Sequence, residues 1–255
     1  MIDQFTLPYP AYTGEEERNV YVYVPDAFEE DEALRFPVLY MFDGHNVFFD
    51  NDATYGKSWG MKEYLDESGT PLIVVGVECN HAKGARLSEY APFSFRAPRI
   101  GSVEGRGHDT MEWFVHTLKP LIDEQYPTLP GRYDTFIAGS SMGGLMSLYA
   151  VVQYNHVFSR AAALSPSIWF ATRRLDEFLR DTPIRPDTVI YMDYGSCEMR
   201  FHSNMIRQFG AVTQRLLERG VYVTSRIVPN GNHSEASWER QIPFFINTLL
   251  YDWQH

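Results

Sequence analysis

The sequence is poor in several features that would have pointed elsewhere. Only two cysteines occur in 255 residues, Cys79 and Cys197, too few for a disulfide framework and not at the spacing of a metal site. Both fall at the ends of predicted strands, where a buried, unreactive thiol is expected. No run of about eighteen uninterrupted apolar residues is present, and the opening MIDQFTLPYP lacks the basic and apolar regions of a secretory leader. A cytoplasmic protein without a membrane span is therefore expected. Positive charge is scarce: 22 Lys and Arg against 33 Asp and Glu leave a formal net charge of −11, a field that repels phosphate backbones and anionic headgroups. Nucleic acid and membrane are excluded as expected partners. Internal repeats, low-complexity tracts and linker-like stretches are absent, so residues 1–255 are read as one domain, a length that buries a substantial core.

What is present is a globular balance, 44% hydrophobic and 15% aromatic. Apolar, β-rich runs alternate with segments of helical periodicity, the pattern of βαβ units and a largely parallel sheet covered on both faces. The fold class is α/β. NVYVYVP (19–25) alternates as an antiparallel edge would. Six core strands follow: FPVLYMF (36–42), PLIVVGVE (71–78), TFIAG (135–139), RAAALS (160–165), TVIYMDY (188–194) and VYVTSRIV (221–228). Helices are predicted over 57–67, 110–125, 142–154, 171–179, 200–219 and 234–251. The long segment 80–109, rich in Gly, Pro and Arg, is a candidate wall or flap, whereas 165–188 has room for one short helix and no large cap domain.

The strongest local signal is Gly139-Ser140-Ser141-Met142-Gly143-Gly144, between the strand TFIAG and the apolar helix LMSLYAVV. G-x-S-x-G at a strand-to-helix turn is a nucleophile elbow, in which small flanking residues let the backbone turn sharply enough to present the serine hydroxyl above the sheet. A serine hydroxyl is a weak nucleophile at neutral pH and needs an imidazole to accept its proton. Of eight histidines, His233 is the one expected at the carboxyl end of a strand, in the turn between the last strand and the terminal helix. His108, His116, His156, His202 and His255 fall in helices, flanks or the tail and are assigned no role; His81, in the long loop, is read as exposed.

The acid that orients the imidazole should follow the serine and end a late strand. TVIYMDYGSCE supplies Glu198, past the strand end and Gly195, and Asp193, still within the strand; Glu198 is preferred. Two N–H donors are expected for the oxyanion: that of Met142, after the nucleophile, and one from the loop Asp43-Gly44-His45-Asn46-Val47, His45 first and Asn46 as the alternative. The His45 side chain is also a candidate substrate contact, with a structural role in the turn equally open.

At these residues the chain resembles the putative-esterase family of α/β-hydrolases, the group that holds S-formylglutathione hydrolase, trilactone siderophore esterases, feruloyl and acetyl xylan esterases and mycolyltransferases. The resemblance runs from about Tyr21 to Leu250 and is carried by YMFDGHNVF (40–48), SWGMKEYLDE (58–67), LKPLID (118–123), IAGSSMGGLMSLYA (137–150), AALSPSIW (162–169), YGSCE (194–198) and GNHSEASW (231–238). It implies an α/β-hydrolase fold and Ser141, Glu198 and His233 as a triad. It also implies that Trp59 and Trp169 border the cleft; Asn46, in the oxyanion loop, is a further candidate substrate contact. His45 stands where relatives commonly carry glutamine or a small residue, which leaves the acyl group open.

The expected activity is hydrolysis of a carboxylic ester through an acyl-enzyme, the ester being an acyl, acetyl or feruloyl ester of a sugar or small alcohol. An acyltransferase with an alcohol acceptor needs the same three residues, and a non-catalytic binding module is the third reading. No cofactor and no metal are expected, because no His, Cys or carboxylate cluster has ligand spacing in the sequence. The expected partner is a small-molecule ester; self-association is left open.

Overall fold

The structure, a computed structural model, describes residues 1–11, 14–97, 100–198 and 204–251. His202, His255 and the first residues of the helix predicted over 200–219 lie outside them. Its frame is one sheet of eight strands: β1 (Ile2–Ala11), β2 (Gly14–Tyr23), β3 (Val38–Phe42), β4 (Ile73–Val77), β7 (Thr135–Ser140), β8 (Arg160–Leu164), β9 (Val189–Gly195) and β10 (Tyr222–Val228). The spatial order is β1-β2-β4-β3-β7-β8-β9-β10. From β4 to β10 every neighbouring pair is parallel, and only β1 with β2 and β2 with β4 are antiparallel. The short strands β5 (Phe95–Ala97) and β6 (Gly101–Val103) pair apart from the sheet. This is the α/β-hydrolase arrangement that the sequence implied.

The unbroken apolar runs are explained by burial on both faces. Along β3, Val38, Tyr40 and Phe42 join one core cluster and Leu39 and Met41 the other, the period of two that a pleated strand imposes. The first cluster is closed by the helices Gly107–Trp113, Met142–Gln153, Thr172–Asp181 and Met205–Glu218, the second by Met61–Ser68 and Ile242–Leu250. Met142–Gln153 is buried over nearly all of its length, as expected of a helix that is apolar all round. The helical segment 107–125 carries a π-helical turn at Phe114–Leu118, just before Pro120. Proline has no N–H to return to the carbonyl four residues back, and a widened turn absorbs the missing bond.

Several features escape the pattern, among them the helix Ala85–Glu89 and the β5–β6 pair inside the segment 80–109. β1 was not expected, because TLPYPA carries Pro8 and Pro10; the strand lies at the sheet edge, the one place where missing donors are tolerated. The helix predicted over 234–251 is divided into Glu235–Glu239 and Ile242–Leu250, with Pro243 in the first turn of the second piece. Between Ser165 and Thr188 the only α-helix is Thr172–Asp181. No helix among the described residues is long and apolar enough to cross a membrane.

Phe245 is fully buried between Trp59 and Tyr191, with ring centroids 6.2 and 6.1 Å away. Phe245→Ala should lower the unfolding free energy by about 3–5 kcal/mol, read as a lower urea midpoint at unchanged slope.

Candidate active site

In an open parallel sheet the strand ends converge on one rim, and the polar side chains gather there. Ser141 occupies the bend between β7 and the helix Met142–Gln153 with φ 58° and ψ −119°, a backbone state costly for a residue with a Cβ. Main-chain bonds hold it: the Ser141 N–H donates to Leu164 O at 2.9 Å and Ser167 N–H donates to Ser141 O at 2.9 Å. The bend also needs bare glycines. A Cβ on Gly139 would lie 2.7 Å from the Gly143 carbonyl carbon, and one on Gly144 2.9 Å from Leu164 O. Ser141 and His233 line the same cleft. The Ser141 hydroxyl meets Ser167 Oγ at 3.4 Å, and no hydrogen bond joins it to His233 among the described residues. Such contacts are often long without a substrate.

His233 is tied to Glu198. Its Nδ1 is 2.6 Å from Glu198 Oε2, while Glu198 Oε1 accepts from the Ser165 hydroxyl at 2.7 Å and from the Gly195 N–H at 2.9 Å. Ser165 in turn accepts from Trp238 Nε1 at 3.0 Å, and the Trp238 ring meets the His233 ring edge-on with centroids 5.0 Å apart. Burial pushes the Glu198 carboxyl upward, but the His233 and Ser165 hydrogen bonds outweigh it and hold the group below its ordinary value. Asp193, the other carboxylate considered, is occupied elsewhere: it is 1% exposed, accepts from the Tyr191 hydroxyl at 2.8 Å and the Ser165 N–H at 3.2 Å, and makes no contact with His233. Burial raises its carboxyl to about 7.

The turns that carry Glu198 and His233 are packed backbone to backbone. A Cβ on Gly195 would fall 2.3 Å from Gly231 O, and Cys197 N–H donates to Gly231 O at 3.0 Å while Asn230 N–H donates to Ser196 Oγ at 2.9 Å. Glycine at 195 is therefore a requirement of close approach.

Ser141, His233 and Arg86 sit where two lobes of the cleft meet. The lobe of about 340 Å³ is lined by Leu87, Met142, Trp169, Phe170 and Tyr194, with Trp169 stacked on Phe170 at 3.7 Å. The other, of about 430 Å³, is polar, with Asp43, His45, Asn46, Asn80, His81 and Glu235 among its walls. Segment 80–109 forms one wall through Arg86 and Leu87.

Of the remaining residues singled out from sequence, Met142 lies at the helix start, where its N–H has no intrahelical acceptor. His45 lies in a 3₁₀ turn, Gly44–Asn46, with its side chain buried. The Asn46 N–H already donates to Asp43 O at 2.8 Å, which leaves His45 as the better-placed main-chain donor of the two. The Asn46 side chain accepts from Thr54 N–H at 2.9 Å and borders the polar lobe. Trp169 borders the apolar lobe. Trp59 does not border either: it is 3% exposed and packs between Trp238 and Phe245, a correction to the expectation that it faces the cleft. Its indole is worth more against the apolar terminal helix than at a wet rim.

Other residues of the site were not anticipated. Arg86 grips Asp43 bidentately, Nε to Oδ1 at 2.7 Å and a terminal nitrogen to Oδ2 at 2.6 Å, and lies over the Tyr90 ring. Burial would raise the Asp43 carboxyl, but the guanidinium holds it below its ordinary value. Asp43 itself is left-handed at φ 60°. No pattern of spacing joins residues 43 and 86. Glu235 is a buried carboxylate at the start of the helix Glu235–Glu239, and its burial raises its pKa. Finally, His45, Cys79 and His81 each offer a metal-ligating atom within 4.8 Å of the others, a juxtaposition that the absence of sequence spacing had argued against.

A family model described as "Putative esterase" matches residues 12–251. The uncharacterized protein YbbA of Bacillus subtilis (strain 168) is 26% identical over 210 residues, 80% of this chain and 79% of its own. Among solved structures, the BES protein from Bacillus cereus aligns with a TM-score of 0.70 at 20% identity, covering 97% of this chain and 94% of that one. An IroE-like serine hydrolase from Shewanella oneidensis aligns with a TM-score of 0.73 at 17% identity, covering 97% and 79%. At these identities the structural likeness carries the fold.

The raised carboxyl of Asp193 has a consequence for stability. The folded chain keeps this proton up to about pH 7, whereas the unfolded chain releases it near the ordinary value of about 4. The folded state then binds more protons across that window, so the stabilisation is full below about pH 4 and is lost as pH rises through about 7. Urea unfolding of the wild type and Asp193→Asn at a series of pH values should show the wild type losing ground to the variant across this window. A constant difference would refute the assignment.

Proposed function

Because the chain belongs to the putative-esterase family, we propose that it hydrolyses carboxylic esters through an acyl-enzyme formed on Ser141. The observation that carries this reading is a serine fixed at a strained strand-to-helix bend, in one cleft with an imidazole whose far nitrogen is bound by a buried carboxylate. In the first half-reaction Ser141 Oγ attacks the ester carbonyl carbon, and His233 Nε2 takes the hydroxyl proton. The tetrahedral oxyanion is met by the N–H groups of Met142 and His45, donors whose worth lies in being fixed beforehand. Collapse breaks the bond to the alcohol oxygen, which leaves with the proton from His233. Water, deprotonated by His233, then attacks the acyl carbon and releases the acid with Ser141 restored. Glu198 holds the Nδ1–H tautomer and stabilises the imidazolium.

The division of the cleft supports a substrate class. The apolar lobe, walled by Trp169, Phe170, Leu87 and Tyr194, suits a small or planar acyl group, and the polar lobe suits the alcohol, a sugar or another small polyol. A panel of acetyl, butyryl, feruloyl and thioester substrates tests this, and the ratio of acid to transferred ester in added alcohol measures any acyltransferase share.

Ser141→Ala should lose roughly 10⁴-fold or more in kcat and all labelling by a fluorophosphonate probe while keeping its urea midpoint. Glu198→Gln should lose about 10²- to 10⁴-fold in kcat, whereas Asp193→Asn keeps activity within a small factor. Turnover that survives in Ser141→Ala would sink the reading.

A further inference from the structure

We propose that His45, Cys79 and His81 form a three-ligand site for a divalent cation of the zinc class in the polar lobe of the cleft. The topology builds it. β3 and β4 are parallel neighbours with Phe42 opposite Val77, so the residues just past both strand ends emerge side by side: His45 in the turn after β3, Cys79 and His81 after β4. One donor atom from each lies within 4.8 Å of the other two, and the rings of His45 and His81 meet edge-on with centroids 4.8 Å apart. A tetrahedral cation with bonds of about 2.0–2.3 Å needs donors roughly 3.5 Å apart. The closure required is small, and His81, exposed at the cleft mouth, has the freedom to make it.

The hydrogen bonds already orient the ligands. His45 Nε2 is 3.0 Å from Thr54 Oγ1, while its Nδ1 is buried with no partner. His81 Nε2 is 2.9 Å from Glu78 Oε1. Each imidazole is thus held by an oxygen at Nε2, which leaves Nδ1 for a cation, the outer-shell arrangement that fixes tautomer and ring in metal sites. An unpartnered ring nitrogen in a buried position calls for an explanation, and a cation supplies one. The sulfur and two imidazoles select zinc-class ions over magnesium or calcium, which take oxygen ligands. On binding, the Cys79 S–H bond breaks, the sulfur–metal bond forms and the proton leaves to solvent. The thiol's hydrogen bond to the Asp43 carboxylate is given up in that step, and Asp43 keeps both of its bonds to Arg86. Three protein ligands leave a fourth position for water.

The test is a titration of the full-length protein with Co²⁺, whose spectrum reports both tetrahedral geometry and thiolate ligation, followed by displacement with Zn²⁺. The wild type is expected to bind one equivalent with a thiolate-to-metal charge-transfer band that Zn²⁺ abolishes. Cys79→Ser should lose the band, Cys197→Ser should keep it, and His81→Ala should bind at least about tenfold more weakly. His108, Glu112 and His116, spaced at four residues on one helical segment, carry no sulfur, so cation contact there gives no such band. A wild type without the band, a band that persists in Cys79→Ser, or unchanged affinity in His81→Ala overturns the proposal. His81 is exposed, so its variant and the wild-type titration decide the matter even where Cys79→Ser fails to fold. The readout is spectroscopic and independent of ester cleavage.

Discussion

A carboxylate withdrawn from water stays charged only where donors surround it, and at Glu198 the fold supplies them from three separate strand ends. Ser165 follows β8, Gly195 ends β9, and His233 follows β10. The terminal helices are joined to the same point through Trp238 and Ser165. The electrostatic needs of one side chain therefore fix the relative heights of three loops, and the imidazole is held in orientation as a by-product. A shift of any one of these strands would leave a buried charge short of donors.

The opposite side of the cleft is governed by a second ion pair. Arg86 comes from the long segment between β4 and the helix Gly107–Trp113, Asp43 from the bend after β3, and their bidentate contact pins the loop wall to the sheet. The cation lies over Tyr90, whose hydroxyl accepts the Asp43 N–H at 3.2 Å. A guanidinium with its charge already matched contributes shape and hydrogen-bond capacity to the cleft more than net attraction. The contrast between an aromatic lobe and a polar one comes from the same placement, since Arg86 stands where they meet.

The parallel strands were legible because runs such as VLYMF and IVVGV have no polar face to hide, and strands buried on both sides leave that mark in any chain. Ser141, Glu198 and His233 were legible because turns with glycine at fixed offsets announce tight bends. β1 was not, since Pro8 and Pro10 argue against a strand until an edge position is known. Trp59 and Trp169 are read alike from the sequence, yet one is core and the other rim; the difference lies in what packs on them, the terminal helices for Trp59 and the neighbouring Phe170 for Trp169. Asp43 with Arg86, and His45 with Cys79 and His81, depend on which strand ends are neighbours. Strand order is a global property, and no local window of sequence contains it.

The bend at Ser141 is held by its main-chain bonds to Leu164 and Ser167 and by bare glycines on either side, with the hydroxyl adding only a long contact to Ser167 Oγ. Its strain is thus a property of the scaffold and not of the amino acid mounted there. Such a socket fixes where the Cβ of its occupant points, over the rim of the cleft. What a side chain at this position can reach is therefore set by the loops around it, with the bend itself left intact.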